Sequence, residues 1–192
     1  MSIKPDIITE QNAIEILKKS GCSQNVINHS IIVCKVSNII ATSLKEKGII
    51  IDLYIVKIGA LLHDIGRSKT HSVSHGYIGG NILEEIGINK KIVNITERHV
   101  GGGISKIEAE ELRFPNRQYI PEALEEKVVC FSDKIVGSGT LIPLKKTLEH
   151  LNKELGEQNK AVQRIIELKS EITSLLNDDP EELVKRRFWT KL

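Results

Sequence analysis

Apolar positions recur along this chain every three or four residues, the period of a helix buried on one side. Ile14 and Leu17, followed by Lys18, continue a first helix that Thr9 can cap and Gly21 ends. Ser23 can cap the next, whose inward positions run Val26, Ser30, Val33, Val36/Ser37, Ile40 and Leu44 before Gly48, with His29 on or beside that face. Asp52 is a good N-cap for Leu53 to His63, where Tyr54, Ile58, Leu61 and Leu62 are apolar, and Gly66 serves as the stop. Residues 67–74 read as a short loop. A helix from near Ser74 to Gly87 carries Ile78, Ile82, Leu83 and Ile86. Another over 89–99 carries Ile92, Val93 and Ile95 and ends in His99-Val100 before Gly101-Gly102-Gly103.

Residues 104–112 form a short amphipathic pattern and 113–120 a loop; Pro121 fits the first turn of a helix through Val128, Val129, Ser132, Asp133 and Val136 to Gly137. Beyond it, Leu144, Leu148, Leu151 and Leu155 make a coiled-coil-like stripe, suited to packing on this chain or to pairing two copies. Gly156 interrupts it, Val162, Ile165/Ile166, Ile172 and Leu175/Leu176 resume an apolar face, and Asp179-Pro180 opens a last short helix. Only Ile49-Ile50-Ile51 has a strand-like composition, and it has nothing to pair with. The pattern predicts an all-α fold: a helical domain over 1–140 and a C-terminal helical extension over 141–192, packing on that domain or on a partner.

Composition refines this modestly. A chain of 192 residues, 40% hydrophobic and 27% charged, suits one globular domain with an appendage, and aromatics at 4% make its core aliphatic. A net charge of +2 argues for neither a nucleic-acid nor a membrane partner. The cysteines Cys22, Cys34 and Cys130 are odd in number and widely spaced, against a disulfide framework and an all-cysteine zinc site. The N-terminus lacks an apolar signal core, and no uninterrupted apolar run approaches the roughly 18 residues of a membrane span. The expected compartment is therefore the cytoplasm, with no membrane partner.

Against this pattern stand polar residues on apolar helix faces: His29, His63, Asp64, His99 and Asp133. Each would cost about 1–3 kcal/mol or more to bury unpaired. A divalent cation turns such imidazoles and carboxylates into ligands. Neighbours on a helix point about 100° apart, so His63 and Asp64 can share an ion only at a helix end.

His29, the doublet in LLHDIGR and Asp133 in VVCFSDKIV together resemble the H…HD…D signature of the HD-domain metal-dependent phosphohydrolases, over roughly residues 20–140. The resemblance implies an all-helical HD bundle, with additional C-terminal helices here, in which His29, His63, Asp64 and Asp133 bind one metal. His75 in HGYIGGNIL and His99 in ITERHVGGG resemble the extra histidines of two-metal branches, where Asp64 would bridge the ions; one ion and two both remain open. Arg98-His99 where HD-GYP phosphodiesterases have two histidines, the missing GYP motif and the short gap from His63 to His75 set the chain apart from that branch and from cyclic-di-GMP turnover.

The resemblance further implies a metal-activated water attacking phosphorus, with Asp64 and Arg67 catalytic. Arg67 and Lys69 would bind the substrate phosphate, Arg67 by its guanidinium fork. The mixed His/Asp donors suit Mn, Fe, Ni, Co or Zn better than Mg. The expected substrate is a nucleotide or other phosphoester, as a monoester, diester or anhydride. The alternative is a nucleotide- or RNA-binding regulatory module with metal but little turnover. Lys134, following Asp133 on a helix, is expected to point elsewhere. The triple glycine suits a phosphate contact or a flexible helix cap. His71 and His150 read as loop and surface residues, and Lys106, Arg113, Arg117 and Tyr119 as a polar lid that selects the substrate.

Overall fold

In the computed structural model, described for residues 8–137, 139–156 and 159–189, the period-3.6 segments become helices as their caps dictate. They are α1 (Glu10–Ser20), α2 (Gln24–Glu46), α3 (Leu53–Leu62), α4 (His75–Glu85), α5 (Lys90–Arg98), α6 (Lys106–Glu111), α7 (Leu124–Lys134), α8 (Leu144–Leu155), α9 (Lys160–Leu176) and α10 (Pro180–Phe188). Thr9 and Asn12 close a capping box at α1, and Ser23, Asp52, Asn89 and Asp179 accept from the first free N–H groups of α2, α3, α5 and α10. Among the described residues no strand forms, only isolated bridges such as Ile104 with Tyr119 and Val136 with Leu141. Ile49–Ile51 is an unpaired linker, with Ile50 almost fully exposed.

α2 runs through the middle of the bundle and packs on α3, α7 and α10. Its 23 residues and mean hydropathy of 1.2 would suffice to cross a membrane, but 61% of that window is buried inside the protein. The uninterrupted-run criterion passes over it because Asn28, His29, Ser30, Ser37 and Asn38 break up the aliphatics. A helix enclosed by other helices needs apolar residues on most sides.

Two expectations about breaks change. Gly66 does not stop the chain: α3 ends at Leu62, and Ile65–Ser68 continues as a 3₁₀ turn containing Gly66 and Arg67. A Cβ on Gly66 would lie 1.9 Å from the His75 carbonyl oxygen and 2.7 Å from the Gly79 nitrogen. The glycine lets this turn press against α4 and so brings Asp64 beside His75. Pro121 lies outside its helix: Ala123 is the N-cap of α7, and the buried Glu126 carboxylate accepts from the N–H groups of Glu122 and Ala123.

The C-terminal helices pack back on the rest of the chain. α9 lies against α7 and α2, α10 against α2, and Ile165, Ile172, Leu176, Leu183, Val184 and Phe188 join the same core as α2, α3 and α7. In the leucine stripe Leu144 is buried, Leu148 and Leu151 pack against that core, and Leu155 stays half exposed.

Candidate metal centre

Five helices converge at one point. α2 contributes His29 from its second turn, the end of α3 contributes His63 and Asp64, α4 opens with His75, α5 closes with His99, and the last turn of α7 holds Asp133. Placing His63 at the C-cap of α3 frees the doublet from the 100° restriction: Asp64 already has the φ of −100° and ψ of 14° of the next turn. All six sequence-derived candidates for metal ligation meet. His29 Nε2 lies 2.9 Å from Asp133 Oδ1, and His63 Nε2 is 3.5 Å from the same oxygen. Asp64 Oδ1 lies 3.2 Å from His75 Nε2 and 3.4 Å from His99 Nε2. Two overlapping sets, His29/His63/Asp133 and His63/Asp64/His99, each place three donor atoms within 4.8 Å of one another.

The backbone fixes which nitrogen each ring presents. His63 Nδ1 lies 2.7 Å from the Ala60 carbonyl, His75 Nδ1 2.8 Å from Ser72 O and His99 Nδ1 2.7 Å from Thr96 O. A carbonyl only accepts, so these Nδ1 atoms carry a proton, and a ring without a second proton presents its Nε2 lone pair to the centre. There the lone pairs face other acceptors. His75 and His99 Nε2 are 3.0 Å apart, and the buried His63 Nε2 and Asp64 Oδ1 have no hydrogen-bond partner. Only a cation or extra protons can occupy such a convergence. A proton is disfavoured at His99, whose pKa is pushed down to about 3, chiefly by burial and against the pull of Asp64. The residues therefore fit a divalent cation.

The carboxylates are held ionised. Burial would raise the Asp64 carboxyl, but His63, His75 and His99 keep it well below the usual carboxylate range. Burial opposes ionisation of Asp133 too, and Lys134, His29 and His63 overcome it. Lys134 corrects the sequence expectation: its flexible stem turns the ammonium back, and buried Nζ donates to Asp133 Oδ2 at 2.5 Å and to the His99 carbonyl at 3.1 Å. It ties Asp133 on α7 to the end of α5.

Arg67 donates from Nε to Asp64 Oδ2 at 2.7 Å and borders an open cavity of about 710 Å³ that reaches Asp64 and Asp133. Lys69 is exposed and lies off that cavity wall. The lid expected from 103–120 is elsewhere too. Tyr119 is buried with Ile104 and Ala109, and Arg117 pairs with the buried Glu97. Arg98, in place of a second histidine, bonds Glu122 and Glu126 at 3.0 Å. The triple glycine receives α9: a Cβ on Gly102 would lie 2.7 Å from the Ala161 carbonyl oxygen. His150, read as a surface residue, borders the cavity with Asn25 and Asn28. Sequence reading passed these over, although Asn25 lies one turn before His29 on the same face of α2.

The chain is 40% identical over 166 residues to the uncharacterized protein MJ0778 of Methanocaldococcus jannaschii, covering 86% of this chain and 98% of that one. It is 36% identical to a tRNA (cytidine(56)-2'-O)-methyltransferase of Picrophilus torridus, over 92% of this chain but half the length of that protein. A Ribonuclease Y of Thermosipho melanesiensis is 37% identical over 52% of this chain and 18% of its own length. Among solved structures, the HD domain of the Listeria monocytogenes phosphodiesterase PgpH, in complex with cyclic-di-AMP, shares the fold with a TM-score of 0.58 at 15% identity, covering 94% of this chain and 98% of that chain. The family model described as HD domain matches residues 26–137, the span from the start of α2 to just past Asp133, and the chain belongs to that family.

Proposed function

We propose that the chain is a metal-dependent phosphohydrolase acting on phosphoester or phosphoanhydride bonds of nucleotides. One observation carries this reading: imidazole lone pairs and two ionised carboxylates converge with too few protons between them, on the floor of a cavity that an arginine borders. His29, His63, Asp64 and Asp133 would hold one divalent transition ion, and His75 and His99 with Asp64 offer a second position; Mn, Fe, Ni, Co and Zn suit these donors. Such a cation supplies Lewis acidity toward a phosphoryl oxygen and toward water.

The chain's own groups do the rest. Arg67, anchored through Nε, has both terminal nitrogens free of partners among the described residues, placed to meet a phosphate at the cavity floor. Lys134 offsets the charge of Asp133 and keeps its Oδ1 turned to His29 and His63. The nucleotide class draws support from the cyclic-di-AMP bound by the PgpH domain.

Hydrolysis of bis(p-nitrophenyl) phosphate and of a nucleotide panel including cyclic dinucleotides, with added Mn²⁺, Ni²⁺ or Co²⁺, tests the proposal. Activity is expected to vanish in Asp64→Ala and in Asp133→Ala; full-rate turnover in both would refute it. The match to half of a tRNA methyltransferase favours one other reading, an RNA-binding module with metal but little turnover. Tight tRNA binding by a metal-loaded protein that turns over none of the panel would select it.

A further inference from the structure

The cavity over the candidate metal centre has an outer wall that the metal reading leaves unused. On α2, Asn25, Asn28 and His29 stand at i, i+3 and i+4, so the face that carries His29 to the metal centre continues toward the helix start as carboxamides. Asn28 Oδ1 accepts from Gln24 Nε2 at 2.8 Å, which leaves the Asn28 NH₂ group to donate elsewhere; the Asn25 side chain makes no hydrogen bond among the described residues. The opposite wall comes from the C-terminal extension. Gly137 N–H donates to Thr140 O and Ile142 N–H to Ile135 O, a tight turn that sends α8 back over the site. Thr147 Oγ1 then donates to the Lys134 carbonyl at 2.7 Å and pins the first turns of α8 to the end of α7. His150 follows Thr147 by three residues, on the same face, and borders the cavity.

We propose that Asn25, Asn28 and His150 form a nucleobase subsite, so that a nucleotide binds with its phosphate at Arg67 and its base between α2 and α8. This rests on the nucleotide reading of the site and assigns its selectivity. Three features carry it. The Asn25 carboxamide offers a donor and an acceptor side by side and Asn28 adds a donor, matching the edge of a base. An imidazole ring supplies a face for stacking. Among the described residues the wall holds no carboxylate beyond Asp64 and Asp133, while Glu154 Oε1, 3.3 Å from His150 Nε2, pairs with the ring from outside the lining, and the volume of about 710 Å³ suits a ligand of nucleotide size. The selectivity expected of residues 103–120 thus lies at the start of α2 and on α8, which gives the C-terminal extension a part in substrate choice.

Calorimetric titration of the metal-loaded full chain with the four nucleoside 5′-monophosphates and with ribose 5-phosphate tests the subsite. At least one nucleotide is expected to bind about 10-fold or more tighter than ribose 5-phosphate, the scale of one stacked and hydrogen-bonded base. The difference should shrink to about 2-fold or less in an Asn28→Ala/His150→Ala double variant whose urea midpoint matches the parent. Equal affinities in the parent, or a difference that survives the double substitution, would overturn the proposal. Both residues are exposed, so folding is expected to be kept; were it lost, the parent's nucleotide preference and Asn25→Ala still decide. Phosphodiester turnover by the parent protein is measured separately, so failure of the hydrolase reading is distinct from failure of the subsite.

Discussion

Lys134 shows what a single side chain does when a core closes around it. Its cation is buried and bonded to Asp133 and to the His99 carbonyl, and Asp133 raises its pKa although burial by itself lowers it. In Lys134→Met the stem's packing is kept and the charge removed, which leaves Asp133 with an uncompensated oxygen. Breaking such a pair costs about 3–5 kcal/mol. Urea unfolding of the chelated protein should show a loss of that order, Lys134→Arg should recover part of it, and competition with a chromophoric chelator should show weaker metal binding in the Met variant. A Met variant equal to the parent on both counts would remove Lys134 from the site. Sequence placed the residue correctly on a helix but misdirected its charge, because helical periodicity fixes Cβ while four further bonds decide where the ammonium goes. His29, His63, Asp64 and Asp133 were legible because short side chains stay where their Cβ points.

At the scale of elements, the helices were legible from period and caps, and the contacts between them much less so. Gly66 shows why. A glycine after an apolar run reads as a stop, yet its value here is a close approach that only the packed structure reveals. Gly66→Ala must push against backbone, the His75 carbonyl and the Gly79 nitrogen, whereas a Cβ on Gly59 meets side-chain atoms alone, those of Ile95, with Cδ1 at 2.3 Å and Cγ2 at 3.1 Å. Overpacking costs typically about 1–3 kcal/mol. Gly66→Ala should fall at or above the top of that range and Gly59→Ala lower, within it, measured by urea midpoints at equal m-value. The reverse order would show that the Gly66 turn is not held tightly on α4. Pro121 illustrates the same limit: a proline suits a first helical turn, but Glu126, satisfying N–H groups before the helix, sets where α7 begins.

For the whole molecule, the quantity at issue is how much stability the converging His and Asp side chains would gain from a bound cation. Most of the chain is an aliphatic core that needs no metal: α2, α3, α7, α9 and α10 share it, and the leucine stripe, ambiguous in sequence between self-packing and pairing, spends most of its length there. The candidate metal centre lies where α2, α3, α4, α5 and α7 meet, and its unpaired acceptors oppose that packing. A ligand that binds only the folded state stabilises by about 2.7 kcal/mol at 100 times its Kd. For a chain of this size that raises Tm by about 5–10 °C. EDTA-treated protein should therefore melt lower by that amount and recover with Mn²⁺, Ni²⁺ or Co²⁺. The gap should also narrow on acidification. Burial lowers the His29 pKa, but the bond to Asp133 more than reverses this and raises it above its ordinary 6.5. In the metal-free protein that raised pKa adds stability which is full below the unfolded value of 6.5 and is lost as pH rises through the folded one. A bound cation requires the neutral ring and forfeits that gain. Lowering the pH through the His29 pKa therefore stabilises the metal-free form and disfavours the loaded one. Differential scanning calorimetry from pH 8 to pH 5, with and without metal, reads this directly; a gap that is absent, or that widens toward acid, would contradict metal binding by His29 and its partners.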